Sequence, residues 1–269
     1  MKKTIRTLLT RDKLPELKQF LAENPSHDIS QDTDDWRYTM LEIASITDQP
    51  EIVAVLLAHP HIDINQKSQQ QGWNPLYLAC AQGLVEVVKI FMRDSRTDVN
   101  ITTTLGPTPL WQAAYRGCQT TIKWMIALRG DEIDYKKKGR FSDSPRSVEL
   151  SAQEIASVRN KGQVVSLLQR VEKYPAQTRY EIQLELGFPE ARAAELFALT
   201  VFLCDDFLRL KETSSLPTPT SSFFRIAQQL PMEIQMIMCH RVYGSSKGNI
   251  SSKISELAFK NVIKEVFAE

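Results

Sequence analysis

The side chains in this sequence best suited to hold a metal or act as nucleophiles are few: His27, His59, His61 and His240, with Cys80, Cys118, Cys204 and Cys239. His59-Pro60-His61 has a spacing that could bind a metal ion, but no full ligand set gathers around it, so no metal site is expected. Cys239 and His240 adjoin on an expected helix, where neighbours point about 100° apart and do not share a ligand. The cysteines are scattered without a CxxC, which suits free thiols in a reducing compartment rather than a disulfide frame. No GxxxxGK[ST], GxGxxG or GxSxG motif occurs. The expectation is no catalytic residue, no metal, no cofactor and no enzyme. Lys136-Lys137-Lys138-Gly139-Arg140 reads as a solvated hairpin tip, with a nuclear-import or phosphate-binding run as the alternative.

Elements to position any such residues need a core, and 269 residues at 42% hydrophobic and 24% charged can form one. Lys and Arg number 33 against 32 Asp and Glu, a net charge of +1. Phosphate binding needs a clustered basic excess, so nucleic acid is not expected as a partner. The N-terminus lacks the apolar stretch of a secretory signal. The longest apolar run, residues 196–204, is broken by Thr200 and falls short of the roughly 20 residues a membrane span needs. The expected compartment is the cytoplasm, with the nucleus as the alternative.

Organisation comes from a repeat. Thr39-Met40-Leu41-Glu42-Ile43-Ala44, Asn74-Pro75-Leu76-Tyr77-Leu78-Ala79 and Thr108-Pro109-Leu110-Trp111-Gln112-Ala113 align, their leucines 35 and 34 residues apart. Each is followed by an apolar block (52–57, 87–91, 122–126) and then an Asp-containing close: Asp63-Ile64-Asn65, Asp98-Val99-Asn100 and Ile133-Asp134-Tyr135. Thr or Asn suits a helix N-cap, and the Pro after it suits the first turn, where its missing N–H costs nothing. Gly83 and Gly117 stop the first helix, and the apolar block supplies a second, one-sided helix. A single pair of short helices cannot bury its apolar face, so such units stack.

These residues resemble the ankyrin repeat, whose signature is T-P-L-H-x-A, a Gly turn, a second helix and a D-V-N close. The resemblance covers residues 36–135. The family's His is replaced by Glu42, Tyr77, Trp111 and Glu154. Residues 1–33, with Leu14 to Leu21 and Asp28-Ile29, read as a degenerate N-terminal cap, and residues 138–172 as a divergent repeat that carries Gln153 in place of Leu. The resemblance implies an all-α solenoid over 1–172, in units 1–33, 34–68, 69–102, 103–137 and 138–172. It also implies a partner protein on the concave side, against hairpin tips and exposed first-helix positions. Carried over, the contact set is Trp36, Tyr38, Thr47, Trp73, Gln82, Tyr115 and Arg116, within a wider list of Asp35, Ile46, Gln70, Gln71, Ala81, Thr104 and Leu105. The set is rich in the residue types that dominate binding hot spots, although Trp73 also suits packing on a neighbouring hairpin.

Beyond residue 173 the period is lost. The expectation is a helical extension over 173–212, with a buried helix at 191–210. A Pro/Ser/Thr linker over 213–222 follows, then a C-terminal helical segment over 223–269 with a turn at 244–248 and a last helix at 254–267. Leu230-Pro231-Met232-Glu233-Ile234, Met238 and Val242 are similar to the start of an F-box, the family segment that binds the Skp-type linker of a ubiquitin ligase. Pro at a first turn with Glu behind it is also an ordinary helix start. On that second reading the helix is a cap, with Ile234, Met238 and Val242 buried against helix 191–210. The function expected is a protein-interaction scaffold or adaptor. The alternative is a substrate-recognition subunit of a ubiquitin ligase.

Overall fold

The computed structural model describes residues 9, 13–31, 33–34, 37–69, 71–142, 147–204, 231–242, 254 and 258. Asp35, Trp36, Gln70, the linker at 213–222 and most of the last helix lie outside the described residues. The chain is all-α: among the described residues the only β-type pairings are isolated bridges between Thr33 and Thr39 and between Gly139 and Leu150. It divides into two compact units, Met1–Pro175 and Ala176–Glu269.

In the first unit, α1 (Leu14–Glu23) and a 3-10 turn (Ile29–Gln31) precede four helix pairs. These are α2 (Met40–Ile46) with α3 (Pro50–Leu57), α4 (Pro75–Gln82) with α5 (Val85–Arg93), α6 (Pro109–Arg116) with α7 (Gln119–Arg129), and α8 (Ala152–Val158) with α9 (Gly162–Lys173). The first helices begin alike. Thr39, Asn74, Thr108 and Ser151 each accept the backbone N–H three residues on, at 3.2, 2.7, 3.1 and 3.3 Å. They also end alike. Asp48, Gly83, Gly117 and Asn160 all adopt positive φ, from 53° to 82°. The glycines take this left-handed conformation freely, and Asp and Asn are the other residues that tolerate it. The following N–H returns to the carbonyl of Ala44, Ala79, Ala113 or Ala156 at 2.8–3.2 Å. All four alanines are fully buried, which lets adjacent first helices approach closely.

First helices stack in the order α2, α4, α6, α8, and second helices in the order α3, α5, α7. Leu41, Leu76 and Leu110 are each 1% exposed between them. The second helices bury Ile52, Val53 and Leu56, then Val87, Val88 and Phe91, then Ile122, Met125 and Ile126. The residue in the family's His position divides by place in the stack. Glu42 and Glu154 close capping boxes with Thr39 and Ser151. Tyr77 and Trp111 bond to the next repeat instead, Tyr77 Oη donating to Gln112 Oε1 at 3.0 Å and Trp111 Nε1 donating to the Leu150 carbonyl at 2.8 Å.

A ladder runs through the closes. Asn65 Nδ2 donates to the Arg96 carbonyl (2.8 Å), and its Oδ1 accepts from Asp98 N (2.9 Å). Asn100 does the same with Glu132 (2.6 Å) and Asp134 (2.7 Å). Ser30 makes the first rung with one hydroxyl, which donates to the His61 carbonyl (3.4 Å) and accepts from Asp63 N (2.7 Å). Asp134 therefore stands where Asp98 stands, and the third close is Asp134-Tyr135-Lys136 rather than Ile133-Asp134-Tyr135. The register slips because α7 has 11 residues against 9 in α5. Lys136 falls in the asparagine position, where an ammonium cannot accept. The ladder stops there. Beyond it α7 and α9 do not pack as the earlier second helices do. A groove of about 640 Å³ opens between the third close and the α8–α9 pair, lined in part by Tyr135, Lys138, Glu154, Leu168 and Val171.

The run at 136–140 is not a hairpin tip. Gly139 pairs with Leu150 in the arm of the hairpin, and a Cβ on Gly139 would collide with Pro107 of the preceding hairpin. Lys137 Nζ donates to the Asn100 carbonyl, while Lys138 faces Glu154 and Arg140 pairs with Glu149.

In the second unit, α10 (Pro175–Glu185, its first residue closing the first unit), α11 (Pro189–Cys204) and α12 (Met232–Val242) contribute a core of Tyr180, Leu184, Ala194, Phe197 and Cys239, with Ala258. Helix α12 packs on α11, but not through the expected stripe. Gln235 and Cys239, one turn apart, are buried, whereas Ile234 is 42% and Val242 55% exposed and Met238 is half-buried. At about 100° per residue, Ile234 points well away from the face carrying 235 and 239, whereas Val242 lies near that face and is open at the last residue of the helix.

Candidate partner-binding surface

The hairpins are joined to one another by backbone hydrogen bonds. Their turns use positive φ at Arg37 (65°), Gly72 (66°) and Gly106 (92°). Thr104 donates from both N and Oγ1 to the Gln71 carbonyl at 3.1 Å, and Arg140 N donates to the Leu105 carbonyl at 2.9 Å. Below them, the residues seven and eight after each N-cap recur along one face: Ile46 and Thr47, Ala81 and Gln82, Tyr115 and Arg116, Val158 and Arg159.

Between hairpins and first helices lies a cleft of about 190 Å³, lined in part by Trp73, Tyr77, Trp111, Tyr115 and Phe141. Trp73 stacks on Tyr77 with centroids 6.4 Å apart, and Trp111 on Tyr115 at 5.6 Å. Tyr115 also meets Phe141 at 5.3 Å, and the Arg159 guanidinium sits 4.7 Å over its ring. Phe141 is 62% exposed. Trp73 and Tyr115 thus meet in one place, with Arg116 exposed beside Tyr115. Gln82 is exposed and does not line the cleft. Thr47 belongs to the α2 repeat, its hydroxyl donating to the Ile43 carbonyl, and half-buried Tyr38 donates its N–H to Asp34 Oδ1. Trp36 lies outside the described residues. Sequence reasoning omitted Phe141, Val158 and Arg159. The N-cap at Ser151 carried the signal for the last two, since counting seven and eight onward reaches them.

Burial governs the ionisable groups that shift most. Burial pushes the Tyr77 hydroxyl up to about 12, with Cys80 and Tyr115 adding to it, so it stays a donor to Gln112. Burial also raises the Cys80 and Cys118 thiols and pushes Cys239 up to about 11, the reverse of what an attacking thiolate needs. Glu42 is raised by burial, against the hydrogen bonds from Thr39. Among the described residues no three His, Cys, Asp or Glu converge as a metal site. His59 and His61 face each other with ring centroids 6.2 Å apart, and His59 is buried. No helix among the described residues is long and apolar enough to cross a membrane.

Helix pairs with N-cap and proline starts, left-handed stops, hydrogen-bonded hairpins and an Asp/Asn ladder together define a repeat family, and residues 63–138 match it, described as ankyrin repeats (3 copies). Residues 63–138 carry ankyrin repeats. Comparison with curated proteins gives no match. Ankyrin repeats indicate a protein–protein interaction module.

Proposed function

We propose that this chain is a non-enzymatic scaffold or adaptor that binds a partner protein across the concave ankyrin surface. The contact set is Trp36, Tyr38, Thr47, Trp73, Gln82, Tyr115 and Arg116. The aromatic cleft carries this reading, because open apolar surface with Tyr, Trp and Arg at its centre is the composition of a binding hot spot. The scattered, proton-holding thiols suit a reducing compartment, and we assign the chain to the cytoplasm. The test begins with affinity purification of the full chain and identification of the partner, followed by calorimetry on variants. Arg116→Ala should weaken binding by about 2 kcal/mol while changing stability by no more than about 0.5 kcal/mol. Tyr115→Ala should weaken binding at least as much, with some loss of stability because its ring is stacked. A partner that holds both variants as tightly as the parent removes this surface from consideration.

A second reading is favoured by one observation. Ile234 and Val242 of α12 are 42% and 55% exposed, with Met238 half-buried between them, a partly open stripe of the kind that a substrate-recognition subunit of a ubiquitin ligase would offer its Skp-type linker. Mixing the full chain with purified Skp-type linker and separating by size exclusion tests it. A complex abolished by Ile234→Asp supports the adaptor as a ligase subunit, and no complex at micromolar concentration removes that role.

A further inference from the structure

The surface positions change character along the array. Ile46, Thr47, Ala81 and Gln82 are uncharged, whereas the last two repeats place an apolar residue and then an arginine: Tyr115 with Arg116, and Val158 with Arg159. Lys161 follows, its stem lying against Gly117 where a Cβ would come within 2.7 Å of it. Among the described residues no carboxylate forms an ion pair with Arg116, Arg159 or Lys161. The nearby Lys138 and Arg140 differ, each facing a glutamate. Three cations with no ion pair among the described residues therefore stand around the joined rings of Tyr115 and Phe141, Phe141 being 62% exposed and Val158, next to Arg159, 64% exposed. The Arg159 guanidinium carbon sits 4.7 Å over the Tyr115 ring, a contact made through the face of the group that leaves its N–H donors free to take a carboxylate in two bonds. The adjoining cleft of about 190 Å³ has room for one side chain, below the roughly 300 Å³ at which small-molecule pockets begin.

We infer that this end of the surface takes an acidic peptide segment of a partner protein, seating one aromatic or aliphatic side chain in the cleft while flanking carboxylates meet Arg116, Arg159 and Lys161. The inference rests on the concave-surface reading and narrows it to a class of partner. Peptide is favoured over nucleic acid or an anionic membrane because the cations are local to a one-side-chain cleft and the whole chain carries only +1.

The probe is a displayed library of random 12-residue peptides panned on the full chain, with enriched sequences resynthesised and titrated by fluorescence anisotropy. The expected peptides carry one large apolar residue flanked by Asp or Glu. Their affinity should fall on the order of tenfold in Arg116→Glu/Lys161→Glu, and again as salt rises from about 50 to 500 mM. Arg116→Gln/Lys161→Gln, which adds no repulsion, should give a smaller fall in the same direction. Peptides that lose binding to Tyr115→Ala and Phe141→Ser but ignore the charge changes would overturn the acidic class and leave the surface standing. Peptides indifferent to all these variants would overturn both. Neutral or basic enrichment, no enrichment at all, or binding to phosphatidylserine vesicles or single-stranded RNA in place of acidic peptides would overturn the inference.

Discussion

Glu42 is the residue with the least comfortable surroundings in the array. It is 1% exposed, and its Oε2 accepts the Thr39 N–H at 2.7 Å while Oε1 is buried without a hydrogen bond. Burial raises its pKa, and the Asp34 carboxylate adds to that. The native state therefore keeps this proton over a pH range where the unfolded chain has released it. The stability that Glu42 contributes is full below the ordinary carboxylate pKa and is lost as pH rises through the raised value. Glu42→Gln keeps the capping box and removes the titration. Denaturant unfolding across about pH 4 to 8 should show the variant gaining on the parent as pH rises, and matching curves would disprove the assignment. Trp111→Phe tests the other substitution at this position. It deletes the Nε1 bond to the Leu150 carbonyl, at an expected cost of about 1–3 kcal/mol. The four residues at the His position were legible from alignment alone, but their bonds were not. For Tyr77 and Trp111 the bonds depend on what the next repeat presents, a glutamine amide to one and a hairpin carbonyl to the other.

At the scale of elements, the helix pairs were legible because N-cap, Pro, Leu and Gly recur with one period, each with a local physical cause. The third close was misregistered because two extra residues in α7 leave the apolar period intact. Only the partners of Asn100 reveal that Asp134, and not Ile133, follows the pattern. Asn100→Ala removes two rung bonds and should cost about 1–3 kcal/mol, with Asn65→Ala behaving alike. Amide hydrogen exchange should show Asp134 losing protection in the first variant and Asp98 in the second. Helix α12 was misread for a different reason. Ile234, Met238 and Val242 form a valid helical stripe, but the core chose the face of Gln235 and Cys239 because small Cys239 meets the alanine-rich α11. Hydropathy alone would not select a glutamine for burial.

For the whole chain, the array should fail as a unit when its middle is struck. Leu76→Asp and Leu110→Asp each place a charge between stacked repeats, a loss of more than about 3 kcal/mol, and circular dichroism should show the array unfolded. An unchanged melt would refute the stacking register. A shorter chain ending at Pro175 should keep the repeat array's cooperative melt, since the contacts divide there. The ladder's end at Lys136 gives the chain a mechanical property. Repeats coupled to their neighbours resist tension in series, and the weakest coupling yields first. The α8–α9 repeat is held by its inner helix and two hairpin bonds, with no rung and an outer helix that does not pack on α7 as the earlier outer helices pack on one another. Pulled from its ends in an optical trap, the array should release that repeat at lower force than the others. Tyr115 and Arg116 lie on one side of that joint, and Val158 and Arg159 on the other. Any grip formed across the joint would open under load.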